Sequence, residues 1–228
     1  MTDAVRCASD AVLLRLVDQG ERDRLGNFYL REHGRVTLAL RGVRGGSRRF
    51  GGDVDLFSRG VATFAPGRNA NALASFDVTH AGGRLAADPL RFAIASFWSE
   101  LVLATTADDD PSETGFLVLS SHLVALAASE EPLRRDLLLG FQLGWFRTLG
   151  HLPDLDTASL REAELPSLGS ESLAVAVALL SGPTDARVLP PAAVREIGAV
   201  TRRLRERVTS RPLLSVTFLS QMLRGAEA

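Results

Sequence analysis

The chain has 228 residues, 46% hydrophobic, with 10 prolines and a formal net charge of −1, which excludes a disordered chain and any global attraction to nucleic acid or anionic lipid. All 26 basic residues are arginine, so a P-loop lysine, a Schiff-base lysine and a Ser-Lys dyad are excluded; the single cysteine, Cys7, excludes an internal disulfide and a Cys-rich zinc site. No window reaches the roughly 18 to 20 apolar residues of a membrane helix, and MTDAVRCASD lacks the apolar run of a signal peptide, so a cytoplasmic protein is expected.

In chain order, Ala4 to Asp18 is dense in branched residues and suits a central strand, ending at the polar turn GERDR. Leu25 to Glu32 and Arg35 to Arg41 flank His33-Gly34 and read as a hairpin. Within RVTLALR, Val36, Leu38 and Leu40 alternate with Arg35, Thr37, Ala39 and Arg41, so one face is core and the other carries arginine. Asp53 to Ala65, closed by Pro66-Gly67, and Ala70 to Thr79 complete five short strands in about 80 residues, the pattern of a small OB-type barrel. Between the third and fourth strands lies RGVRGGSRRFGG, which has no lysine and does not fit the P-loop pattern; it reads as a basic inter-strand loop.

From Asp88 the period becomes helical. Pro89 opens LRFAIASFWSELVLA, and DDDPSE breaks the chain and caps a helix over Gly115 to Ala128. Further helices are expected over Glu131 to Thr148, Glu171 to Leu180, Pro191 to Val208 and Leu213 to Leu223. The expected fold class is therefore α+β: a five-stranded OB-fold barrel in residues 1–80 followed by an all-helical domain in residues 81–228.

Charge is unevenly spread. Residues 1–68 hold about 12 arginines against about 8 acids, residues 81–190 about 7 against about 15, and the last segment is basic again. An OB barrel with an arginine-bearing face tracks phosphates, and Arg35, Arg41, Arg44, Arg48, Arg49 and Arg68 are the candidates, with Phe50 as a stacking residue. Arg203 and Arg207 share one helical face and would extend that surface; the alternative for all of them is an ordinary solvated face. Catalytic signatures are missing: His33, His80, His122 and His151 lie in separate segments without ligand spacing, and no G-x-S-x-G occurs.

Gly20-Glu21-Arg22-Asp23-Arg24 followed by Leu30-Arg31-Glu32-His33-Gly34-Arg35-Val36 resembles the N-terminal signature of the RecO family of bacterial recombination mediators, G-E-x-D-R then T-R-E-H-G-x-V. The likeness continues through Arg41-Gly42-Val43-Arg44, Arg49-Phe50-Gly51-Gly52, Pro66-Gly67-Arg68, Phe141-Gln142-Leu143, Leu149-Gly150-His151-Leu152-Pro153-Asp154-Leu155-Asp156 and Arg211-Pro212-Leu213-Leu214-Ser215. It implies an OB-fold domain joined to a helical domain, without catalytic activity or cofactor. The implied function is binding single- and double-stranded DNA, annealing complementary strands and helping RecA load onto strands coated with single-strand binding protein, together with RecR, at the nucleoid.

Three departures stand out. The segment after Asp156, where many relatives carry four zinc-binding cysteines, has none here, so that finger near residues 157–190 is degenerate and must close without metal. Leu139-Gly140 precede Phe141 where a basic residue is common, and Leu214-Ser215-Val216-Thr217 is less basic than usual. The resemblance also implies a pocket for the acidic, Phe-ended tail of single-strand binding protein, for which Arg134, Arg135, Phe141, Trp145 and Arg147 are the candidates; Phe141 and Trp145 are equally an ordinary i, i+4 core pair. The alternative function is a RecO-like protein-interaction scaffold that has lost DNA binding.

Overall fold

A computed structural model describes residues 6–43, 54–67, 71–131, 133–183 and 188–226. The chain divides into two compact units, one of residues 1–88 with 106–116, the other of residues 89–105 with 117–228.

The first unit is a closed barrel of β1 (Cys7–Gln19), β2 (Asp23–Leu30), β3 (Gly34–Leu40), β4 (Arg59–Ala65) and β5 (Asn71–His80), in the order β1-β2-β3-β5-β4. Closure depends on β1, whose residues 7–12 pair with β4 while residues 11–19 pair with β2. A register shift between Leu13 and Arg15, the mark of a β-bulge, bends β1 just past the stretch where it pairs with β4. The pairing of β3 with β5 is parallel and short, at Leu38–Asn71 and Ala39–Ala72. Alternation sends Leu13, Phe28, Leu30, Val36, Leu38, Leu40, Phe64 and Phe76 into one core, where Phe28 meets Phe76 edge-on at 5.3 Å. The fourth strand begins at Arg59, later than Asp53, because Phe57 has a positive φ of 67° and its N–H turns to the Leu13 carbonyl oxygen (2.8 Å).

The β2–β3 turn is held from outside. Gly34 has φ +68° and is pressed so closely on Asp110 that a Cβ would collide with the Asp110 carbonyl. Beside it Asp109 N–H donates to the Arg35 carbonyl oxygen (3.1 Å).

After the short α1 (Gly83–Ala87) come α2 (Pro89–Thr105), α3 (Glu113–Ala128), α4 (Arg135–Thr148), α5 (Thr157–Glu162), α6 (Ser170–Leu179), α7 (Pro191–Val208) and α8 (Leu214–Ala226). α1 and α5, five and six residues long, are too short to show a period and were not expected. α4 starts at Arg135, four residues later than the sequence predicts, because Arg134 is non-helical (φ −106°, ψ 89°). Ser112 Oγ accepts from Gly115 N–H (3.1 Å) at the start of α3, the cap expected from DDDPSE.

In the helical unit, Trp98, Phe141 and Trp145 form a buried row with ring separations of 4.8 and 5.9 Å, and Trp145 Nε1 donates to Thr105 Oγ1 (2.9 Å). α6 and α7 pack on each other, α4 packs against both, and α8 lies along α2. The Glu100 carboxylate of α2 accepts from the backbone N–H groups of Leu214 (3.0 Å) and Ser215 (2.8 Å), capping α8. His122 sits edge-on to Trp98 and Phe141, and burial lowers its pKa to about 4 despite a 2.7 Å contact from Nδ1 to the Val118 carbonyl oxygen.

Two outcomes follow from these contacts. Gly34→Ala meets both an unfavourable φ and the Asp110 carbonyl, so urea unfolding is expected to show a loss of about 2 kcal/mol or more. His122 is neutral when folded and ordinary when unfolded, so its stability contribution is complete above pH 6.5 and is lost as pH falls toward about 4. Thermal midpoints across that range should fall with acidification, and His122→Gln should flatten that limb; an unchanged limb would show that other groups set it.

Candidate nucleic-acid interface

The pleat that buries Val36 and Leu38 turns Thr37 outward between them, whereas Tyr29 and Ala39, also between core positions, are themselves buried. Register aligns Arg15, Asn27 and Thr37 in one row across β1, β2 and β3, and Val17, Leu25 and Ala39 in the next. Asn27 Nδ2 donates to Thr37 Oγ1 (2.7 Å), which fixes the amide across the strands. Arg15 and Thr37 are exposed, and Val17 is 41% exposed. Arg41 stands exposed just beyond the end of β3, where Gly42 N–H donates to Asp23 Oδ1 (2.8 Å). A groove of about 660 Å³ adjoins the first row, lined in part by Arg15, Leu16, Val17, Arg24, Val54 and Leu56; Arg24 Nε is paired with Asp18 on its wall (2.9 Å).

Every described Phe and Tyr of the barrel, Phe28, Tyr29, Phe57, Phe64 and Phe76, is buried. The face therefore combines arginine with neutral polar and small apolar groups, and offers no Phe or Tyr ring to a base among the described residues. Tyr29 is pushed up to about 12 by burial first and by Asp110 second, so its hydroxyl stays protonated.

The expected phosphate contacts separate into three groups. Arg41 is exposed on the face, and Arg203 is exposed on α7. Arg44, Arg48, Arg49, Phe50 and Arg68 lie outside the described residues. Arg35 and Arg207 are already engaged: Arg35 Nε donates to Asp108 Oδ1 (2.7 Å), and Arg207 donates to the carbonyl oxygens of Ala163 (2.5 Å) and Glu164 (3.0 Å). Sequence reasoning also passed over Arg31, which follows β2 and pairs with Glu113 and with Asp10 (3.6 Å). Hydrogen bonding to Glu113 raises the pKa of its guanidinium. Nothing local in the sequence announces that pair, since its partners lie 82 residues apart.

The expected tail pocket on α4 is corrected by the packing. Phe141 is fully buried, Trp145 is 1% exposed, and Arg134 is 6% exposed in a two-point pair with Asp136 (2.8 and 2.6 Å), so these three are core. Arg135 is half-buried and Arg147 is exposed. The i, i+4 apolar pair thus serves the interior.

Residues 157–170 are held by capping and side-chain contacts. Asp156 caps α5 by accepting from Ser159 N–H (2.8 Å) and Oγ (2.7 Å), bonds that lower its pKa. Glu164 turns the chain at φ +52°, where Arg207 holds the carbonyls, and Glu196 accepts from Gly169 N–H (2.8 Å) at the start of α6. No group of three His, Cys, Asp or Glu among the described residues is gathered to hold a metal ion.

Family models described as Recombination protein O N terminal and Recombination protein O C terminal match residues 3–81 and 86–193. The chain is similar to a DNA repair protein RecO of Myxococcus xanthus, 32% identical over 196 residues, 78% of this chain and 80% of that one. A DNA repair protein RecO of Geobacter metallireducens is 25% identical over 94% of this chain and 97% of its own length. One from an Anaeromyxobacter species is 35% identical over 64% of this chain, and there the chain spans only 57% of the relative.

Because Arg207 donates to both carbonyls that follow α5, Arg207→Ala should loosen residues 157–170. Hydrogen exchange in that segment is expected to rise, with about 1 to 2 kcal/mol of stability lost. Unchanged protection there would show the contact to be incidental.

Proposed function

Since the chain belongs to the RecO family of DNA repair proteins, we propose that it is a recombination mediator whose barrel holds DNA by its phosphates. In this reading it binds single- and double-stranded DNA, pairs complementary strands, and with RecR assists RecA loading on strands covered by single-strand binding protein. It is non-enzymatic: base pairing itself drives annealing, so the protein makes and breaks no covalent bond. Arg147, exposed on α4, is a cation that an acidic tail would meet at the surface. No helix among the described residues is long and apolar enough to cross a membrane, and a cytoplasmic, nucleoid-associated place of action belongs to the proposal.

The observation that supports this reading is the combination of exposed Arg15 and Arg41 with burial of every described Phe and Tyr of the barrel. Base stacking, worth about 1 to 3 kcal/mol per base on aromatic platforms, is not available from those residues. Affinity then rests on phosphate contacts, which are indifferent to sequence and leave base edges open to a second strand.

The test is annealing of two complementary labelled oligonucleotides over a salt series. Pairing should be faster with protein at low salt, and the gain should vanish as salt rises. Arg41→Glu should weaken binding several-fold. If pairing is no faster with protein at any salt, DNA mediation is overturned and the interaction-scaffold reading takes its place.

A further inference from the structure

Arg24, Arg31 and Arg35 of the barrel already hold carboxylates, Arg24 that of Asp18 and the other two those of a more distant segment. Arg31 follows β2 and Arg35 lies in β3, on either side of the β2–β3 turn. Against that turn runs the segment 106–116, with Asp108, Asp109, Asp110 and Glu113 within it. Its backbone is anchored: Asp108 makes a bridge with Arg35, Asp109 N–H donates to the Arg35 carbonyl, and Gly34 abuts Asp110. The acids themselves face water, with the Asp108 side chain 68% and the Glu113 side chain 63% exposed.

From this geometry we infer that the segment 106–116 is a built-in polyanion mimic: Asp108 and Glu113 occupy Arg35 and Arg31 in place of nucleic-acid phosphates and hold the barrel's affinity down. The inference rests on the DNA-binding reading above. Exposed ion pairs of this kind are weak, so each arginine is restrained loosely enough for a phosphate to compete. The backbone anchor keeps the acids in place at every encounter, so the competition is intramolecular and does not depend on protein concentration. Its consequence is selective: a short or sparse anion fails to displace the acids, whereas a long strand, meeting Arg15 and Arg41 as well, can.

The test compares the full chain with its Asp108→Asn/Glu113→Gln variant, titrating a fluorescent oligothymidylate across a salt series. The variant is expected to bind about three- to ten-fold more tightly at low salt, with the slope of log affinity against log salt steeper by about 0.7 for each arginine that gains a phosphate. An Asp154→Asn/Glu162→Gln variant, with the same charge change on exposed residues of the helical unit, should move affinity clearly less. Arg31→Gln/Arg35→Gln should matter little in the parent and abolish the gain in the neutralised variant, a non-additivity that a general charge effect cannot produce. Should the double variant unfold, Asp108→Asn alone keeps the backbone anchor and carries the same comparison.

Tight parental binding with no gain in either neutralised variant overturns the mimic and leaves the DNA reading standing. Binding by the variant with none by the parent supports the mimic and denies that the unmodified chain acts on DNA unaided. Binding by neither overturns both.

Discussion

The barrel closes because β1, the first strand in the chain, pairs with β4 as well as with β2. β1 supplies residues 7–12 to β4 and residues 11–19 to β2, and the register shift at Leu14 bends it just past the first of these stretches. Without the pairing to β4 the sheet would keep two open edges, each with unpaired N–H and C=O groups. The same bend sets the polarity of the outer face: Leu13 and Leu16 both pack on the core across the shift, and Arg15, between them, joins the row of Asn27 and Thr37. A functional surface is thus a by-product of that bend.

Electrostatics on that face is a matter of which cations are already spoken for. Arg31, Arg35 and Arg24 hold carboxylates, whereas Arg15 and Arg41 are exposed. In the helical unit Arg134 is buried on Asp136, Arg207 holds two carbonyls, and the Arg205 guanidinium lies 5.7 Å from the Phe97 ring centroid in surroundings that lower its pKa by burial. Arginine suits these duties because its planar fork can donate to two acceptors at once while its stem packs on apolar groups. A chain without lysine must use the same residue for structure and for recognition, so arginine density alone overstates a binding surface.

Much of the fold was legible in the sequence. Alternation in RVTLALR and the His33-Gly34 turn located β2 and β3, Pro89 located α2, and the Pro191 to Val208 helix ends where its period does. These are signals within one element, carried by neighbours two to four residues apart. The site was read less well: Phe141 and Trp145 have a spacing that suits a pocket or a core equally, and only their neighbours, Trp98 and Thr105, decide for the core.

What the sequence determined by itself was the order of the strands and long helices, the alternation along β3, and the family to which the motifs belong. Those follow from local periodicity and from residues adjacent in the chain. The tertiary structure alone decided which arginines are engaged, because Arg31 and Glu113, Arg35 and Asp108, and Arg207 and Ala163 meet across sequence separations of 82, 73 and 44 residues. An ion pair leaves no periodic trace; it depends on where two distant segments are folded, and that is fixed by the packing between them.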